Sequence, residues 1–220
     1  MSKKRKTKHP WPTKAAMTQI YEKNLWGGKK SEFYSGLGSH QPETVNPYIT
    51  VVSNILKGFE TPPEVCDLGC GDFNIGKELV KYSKMYIAVD IVPDLIAHNQ
   101  KIFEADNLEF QALDIAKDAL PSGDVAILRQ VLQHLSNAEI TSVIEKLYNY
   151  KYVILTEHLP EGEFEPNKDI ISGQGIRLKK QSGAILTASP FDFKVKEEKQ
   201  VLSVPSPSFG GVLATTLYKI

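Results

Sequence analysis

An α/β fold, with a mostly parallel sheet, helices on both faces and an antiparallel hairpin at its C-terminal end, follows from three observations. From Pro62 onward short apolar runs alternate with amphipathic stretches, the pattern of β-α units that feed a parallel sheet. The first of these runs enters a glycine turn, Gly69-Cys70-Gly71. The last two extended runs flank Pro205-Ser206-Pro207-Ser208-Phe209-Gly210-Gly211, a turn-rich segment that joins neighbouring antiparallel strands.

Taken in order, residues 1–12 are basic and proline-punctuated, without hydrophobic periodicity, and read as a disordered tail. Residues 13–24 and 43–58 carry helical spacing (Ala16, Ile20; Val45, Ile49, Val52, Ile55, Leu56) around a glycine-bearing loop from Trp26 to Ser39, giving a helical N-terminal extension over 13–60. Within 61–220, strands fit 64–68, 85–89, 108–112, 123–128 and 151–156, and helices fit 75–83, 93–103 and 137–149. The last helix is capped by Ser136 or Asn137, with Ile140, Val143, Ile144 and Leu147 on one face. Residues 161–190 read as a long loop with one turn of helix, before the closing strands 193–203 and 212–219.

With 220 residues the chain can bury a core without disulfides or a structural metal. Its two cysteines, Cys66 and Cys70, have no second pair to complete a zinc site and read as thiols in a reducing compartment. The apolar runs are strand-sized, so no membrane span is expected and the chain reads as cytoplasmic. Formal charge is zero, but the basic tail hides an acidic body: residues 9–220 hold 21 basic and 26 acidic groups. Nonspecific nucleic-acid binding is disfavoured by that sign.

The glycine turn allows close approach of a ligand, and the acids around it decide which one. A dinucleotide pyrophosphate at the helix start would meet Asp72, and Asn74 stands where the dinucleotide motif has its third glycine. An ammonium group suits Asp67 at the strand tip. Asp90 ends the second strand nineteen residues after Gly71, where an acid accepts from both hydroxyls of a ribose, or alternatively caps the helix that starts at Pro93. Asp114, after Leu113 at the end of the third strand, either accepts from an adenine amino group or is an ordinary turn aspartate.

Through Asp67-Leu68-Gly69-Cys70-Gly71, Asp90 and Asp114, the chain over roughly 60–220 resembles the class I S-adenosylmethionine-dependent methyltransferases. That resemblance implies a Rossmann-like, seven-stranded sheet and S-adenosyl-L-methionine as cofactor. A narrower resemblance, to a group of small bacterial methyltransferases, rests on Trp26-Gly27, Ser35-Gly36-Leu37-Gly38-Ser39 and Gly71-Asp72-Phe73-Asn74. The cofactor pocket implied is bordered by Asp67, Gly69, Cys70, Gly71, Asn74, Asp90, Ile91, Leu113, Asp114 and Arg129, with Trp26 and Ser35 from the loop above. Arg129 either binds an acidic acceptor or pairs with Asp124. The candidate proton acceptors are His134 and Glu157, in segments that follow the fourth and fifth strands, and loop 33–40 has the glycines and aromatics of a lid. A small-molecule or glycan acceptor is expected. The competing functions are an S-adenosylmethionine-sensing protein without turnover and an NAD(P)-dependent oxidoreductase.

Overall fold

Seven strands form one sheet in the order β3-β2-β1-β4-β5-β7-β6 in the computed structural model, which describes residues 11–29 and 33–220. They are β1 (Glu64–Leu68), β2 (Met85–Asp90), β3 (Leu108–Ala112), β4 (Val125–Arg129), β5 (Tyr152–Leu159), β6 (Glu197–Pro205) and β7 (Val212–Lys219). The first five pair in parallel, and β7 lies antiparallel between β5 and β6. The order reverses between β1 and β4, and such a switch point opens a crevice at the carboxyl ends of the strands. The expected basic tail falls outside the described residues, save Trp11 and Pro12.

Side chains alternate across the central strands. Val65, Ile127 and Ile154 meet α2 (Pro42–Lys57) through Tyr48, Val52 and Leu56 on one face. Cys66, Leu128, Val153 and Leu155 meet α5 (Asn137–Leu147) through Ile140, Val143, Ile144 and Leu147 on the other. Of the two caps considered for α5, Ser136 is the one used: its hydroxyl accepts from the Glu139 amide, and the Glu139 carboxylate accepts from the Ser136 amide. The outer helices are α1 (Thr13–Glu22) and α4 (Pro93–Ile102).

Two expected elements differ. The helix over 75–83 is only α3 (Gly76–Leu79), after which the chain tightens into a 3-10 turn over Val80–Tyr82 that ends at Ser83, whose extended backbone leaves the helix while its amide (3.1 Å) and hydroxyl (2.7 Å) donate to Val80 O. The closing strand starts at Glu197, not at 193, because Phe193 is drawn into the core beneath α5. Within 161–190, Asn167 staples the loop: its amide donates to the Ile185 carbonyl (2.8 Å) and accepts from the Ile185 amide (2.9 Å).

Candidate active site

β1 runs into a turn with Gly69 at φ 99° and Gly71 at φ 55°. Space and conformation both require glycine, since a Cβ would strike Val131 at Gly69 and the Ser35 hydroxyl at Gly71. The turn is tied to the end of β2: the Gly69 and Cys70 amides donate to Val89 O at 2.8 and 2.9 Å, and the Gly71 amide donates to Asp90 Oδ2 at 3.1 Å. Asp90 Oδ1 accepts from the Val92 amide (3.0 Å), closing an Asx turn just ahead of α4; the helix itself has Val92 at its N-cap and no side-chain cap bond, so Asp90 is not its cap. Burial pushes the Asp90 carboxyl up to about 6, against the pull of the Val92 and Gly71 amides.

Asp72 clasps the loop above. Its Oδ2 accepts from the Ser35 amide (2.7 Å) and meets His40 Nε2 (2.6 Å), while its own amide donates to Ser35 Oγ (2.7 Å). His40 stacks on Tyr34 at 4.4 Å. Asn74, expected at the cofactor, serves this clasp as well: its amide nitrogen donates to Ser39 O (2.8 Å) and its oxygen accepts from Lys77 Nζ (2.9 Å), and the residue does not border the main cavity.

That cavity, about 410 Å³, opens over the switch point. Gly69, Cys70, Gly71, Asp90, Ile91, Leu113, Asp114 and Arg129 line it from the sheet, Trp26 and Ser35 from above, and His134 from the side. Asp67 does not: it sits one layer deeper, beside Tyr48 and Arg129, where its Oδ2 accepts from the Tyr86 hydroxyl (2.9 Å) and burial raises it to about 7. Asp114 has the turn role weighed for it, accepting from the Ala116 amide (3.1 Å) and pairing with Lys117 (2.7 Å), yet it also borders the cavity.

Arg129 does not pair with Asp124, which is engaged by Lys151 (2.7 Å). Its guanidinium lies over the Tyr48 ring (4.9 Å) and donates only to neutral oxygens, Gly38 O (2.7 Å) and Gln130 Oε1 (3.2 Å), while its buried Nε has no partner. Among the described residues no carboxylate accepts a hydrogen bond from this guanidinium, although the buried Asp67 lies close enough to act on it electrostatically.

The two expected proton acceptors differ in reach. His134 borders the cavity and packs against Trp26 (5.2 Å), but its Nδ1 donates to Gly173 O (3.1 Å), its Nε2 lies 3.3 Å from the Gln133 amide nitrogen, and burial lowers it to about 4. Glu157 is 2% exposed and absent from the lining. Its Oε1 accepts from the Leu132 amide (3.0 Å), Oε2 is unpartnered, and burial raises the carboxyl to about 8. Arg177, fully buried, donates to Leu132 O (2.7 Å) and Asn137 Oδ1 (2.7 Å). Glu157 and Arg177 thus grip both ends of the peptides around Leu132, whose neighbours Gln130, Val131, Gln133 and His134 face the cavity. Glu157 is corrected from a proton acceptor to a support of that strip.

Sequence reasoning missed Thr13, Met17 and Tyr21 of α1, Gln130 and Gln133 after β4, and Lys179 and Phe209, all in the lining. For α1 the helical spacing was visible but not what it faces. Gln130 is left-handed (φ 57°) at a bend that no glycine announces.

These features make the chain a Rossmann-like α/β protein with a ligand cavity at its topological switch point. A family model described as a methyltransferase domain matches residues 66–150. Human acetylserotonin O-methyltransferase is 28% identical over 142 residues, 63% of this chain and 39% of that protein, so the chain spans about two fifths of the length of this relative. Among solved structures, N-methyltransferase NodS from Bradyrhizobium japonicum WM9, in complex with S-adenosyl-L-homocysteine, superposes with a TM-score of 0.66 at 12% identity, over 93% of this chain and 98% of that one. A 1,6-didemethyltoxoflavin-N1-methyltransferase from Burkholderia thailandensis gives 0.60 at 14% identity, over 94% and 86%. Residues 66–150 thus match a methyltransferase domain, and the fold is the one shared with methyltransferases solved with S-adenosylmethionine or S-adenosylhomocysteine. Among the described residues no helix is long and apolar enough to cross a membrane.

Proposed function

We propose that this protein binds S-adenosylmethionine in the cavity over the switch point and transfers its methyl group to a small-molecule acceptor. The observation that carries this reading is the set of polar groups around one cavity: Asp90 at the end of β2, the glycine turn, and the Arg129 guanidinium. The residues fit the ligand. Asp90 retains lone pairs for ribose hydroxyls, Ile91 and Leu113 give apolar faces to an adenine with Asp114 at its edge, and Arg129 meets the carboxylate of the methionine end. Bound there, S-adenosylmethionine supplies a methyl carbon activated by its sulfonium; the chain's own part is to align the acceptor and exclude water.

A small-molecule acceptor suits a cavity of about 410 Å³ bordered by α1, loop 33–40 and the β6–β7 turn. The relatives named for acetylserotonin and 1,6-didemethyltoxoflavin support the same class. A dinucleotide fits poorly, since Ser35 and Asp72 fill the space over Gly71 where a pyrophosphate would lie.

Thermal denaturation and calorimetry with S-adenosylmethionine, S-adenosylhomocysteine and NAD test the reading. Both adenosyl ligands are expected to raise Tm, since binding only the native state stabilises it by mass action, and NAD to leave it unchanged. Equal shifts with all three, or none, would sink it. Labelled methyl transfer into a metabolite extract then separates an enzyme from a sensor.

A further inference from the structure

His158, near the end of β5, is a cavity-lining group that neither the glycine turn nor the Glu157–Arg177 grip uses. Its Nε2 lies 2.5 Å from Gly210 O. A carbonyl only accepts, so the proton of the neutral ring is on Nε2 and Nδ1 keeps a free lone pair. Nδ1 has no hydrogen-bond partner among the described residues, and it is not one of the unpartnered polar atoms sealed from solvent. Burial holds the ring below the usual histidine range, so it is neutral and able to accept. The alternatives nearby are spent: both His134 nitrogens are engaged, and Glu157 is shut behind the Leu132 peptide.

What surrounds His158 selects the partner. Asp90 and Asp114 line the cavity from β2 and β3, whereas His158 lies beyond β4 on β5, so the sheet order puts these groups at opposite ends. At the His158 end stands Phe209 (ring centroids 6.1 Å apart, 74°), and the cavity takes Ile176 and Lys179 as further lining, while its only carboxylates among the described residues are Asp90 and Asp114. An ammonium-bearing acceptor finds no counter-charge there. A flat ring with a hydroxyl finds an apolar edge, a proton acceptor and a lysine that favours the developing oxyanion.

Resting on the cofactor reading above, we infer that the acceptor is an aryl hydroxyl compound and that His158 Nδ1 is the catalytic base that takes its proton. The hydroxyl proton passes to Nδ1. The oxygen lone pair forms the new bond to the donor methyl carbon while the carbon–sulfur bond breaks, its electron pair returning to sulfur, and the positive charge passes from the sulfonium to the imidazolium, which later releases its proton to water.

His158→Gln is the informative change, because the amide nitrogen replaces Nε2 as donor to Gly210 O and removes the basic nitrogen. Parent and variant are compared with S-adenosylmethionine on 4-methylphenol, 4-chlorophenol and 4-nitrophenol at pH 7.5, with Tm and S-adenosylhomocysteine affinity measured for both. The parent should methylate these phenols. The variant should bind S-adenosylhomocysteine like the parent, lose about 100-fold or more on the two weakly acidic phenols, and stay near the parent on 4-nitrophenol, which is already largely ionised. A uniform loss across the series, no loss at all, or no phenol methylated by a parent that binds S-adenosylhomocysteine would overturn the inference. Failure of the parent to bind S-adenosylhomocysteine removes the cofactor reading itself. Should the variant not fold, nitrogen-15 NMR of the parent decides: a bare Nδ1 that shifts when 4-cyanophenol is added to the S-adenosylhomocysteine-loaded protein supports the base, and an unmoved ring refutes it.

Discussion

At Asp90 one carboxylate does two jobs, since each oxygen braces a backbone amide, Gly71 on one side and Val92 on the other, while the residue also faces the cavity. Replacing it by asparagine puts an NH2 group against one of those amides and removes the charge. Asp90→Asn should therefore weaken S-adenosylhomocysteine binding by about 1.5–3 kcal/mol, the range for hydrogen bonds to a charged group, with calorimetry as the measure. Asp114→Ala should cost less, because Lys117 and the Ala116 amide already occupy that carboxylate. Arg129→Met separates the two ends of the ligand: affinity for S-adenosylhomocysteine should fall, whereas affinity for 5′-methylthioadenosine, which lacks the amino-acid end, should hold. Equal losses would show that Arg129 only supports Gly38. Asp90 was legible in the sequence because strand and spacing fix its place. Asp72 was legible only as an acid, since its partners Ser35 and His40 lie over thirty residues upstream and no local pattern announces them.

Loop 33–40 is an element made by its anchors. Without Asp72 the Ser35 amide loses its acceptor and His40 its partner, so Asp72→Ala should speed hydrogen exchange at Ser35 and Leu37–His40 by roughly tenfold or more, as expected for losing charge-assisted bonds worth about 1.5–3 kcal/mol. S-adenosylhomocysteine should then slow exchange in the variant more than in the parent, whose loop is already held. Unchanged exchange would mean that Tyr21, whose hydroxyl lies 3.0 Å from Ser35 Oγ, and the Asn74 bond to Ser39 suffice. The β6–β7 hairpin was readable because alternation and a proline- and glycine-rich turn are local signals. α3 is shorter than its periodicity suggests because the turn that ends it, closed by the Ser83 amide and hydroxyl on Val80 O, leaves no mark in the spacing of apolar residues.

For the molecule as a whole, three buried acids set the pH dependence of stability. Asp90, Asp67 and Glu157 are held near 6, 7 and 8, all above the unfolded carboxylate value of about 4. Each therefore favours the folded chain while protonated, and that contribution is complete below the unfolded value and lost as pH rises through the folded one. Without ligand, Tm should decline from about pH 6.5 to 9; below that window the buried His134, lowered to about 4, works in the opposite sense, because only the unfolded imidazole takes up a proton there. Glu157→Gln, neutral throughout, should flatten the upper part of the decline, above about pH 7; parallel curves for parent and variant would contradict the burial of a protonated acid there. The sheet and its hairpin could be read from the chain because each strand signals itself. The roof could not, since it joins segments as distant as Gln41 and Ser208, whose side chains meet at 2.6 Å.

The position of β7 has a consequence for the order in which this molecule is made. β7 is the last strand in chain order, yet it lies between β5 and β6, so β6 emerges from the ribosome with no neighbour to pair with. Gly210, the partner of His158, and Ser208, the partner of Gln41, belong to the turn that only β7 can anchor. α1 and loop 33–40, which precede the sheet in the chain, must wait for all of it before they enclose anything. A nascent chain stalled before Val212 should thus retain no S-adenosylhomocysteine, and ligand retention should appear in one step once β7 has cleared the exit tunnel.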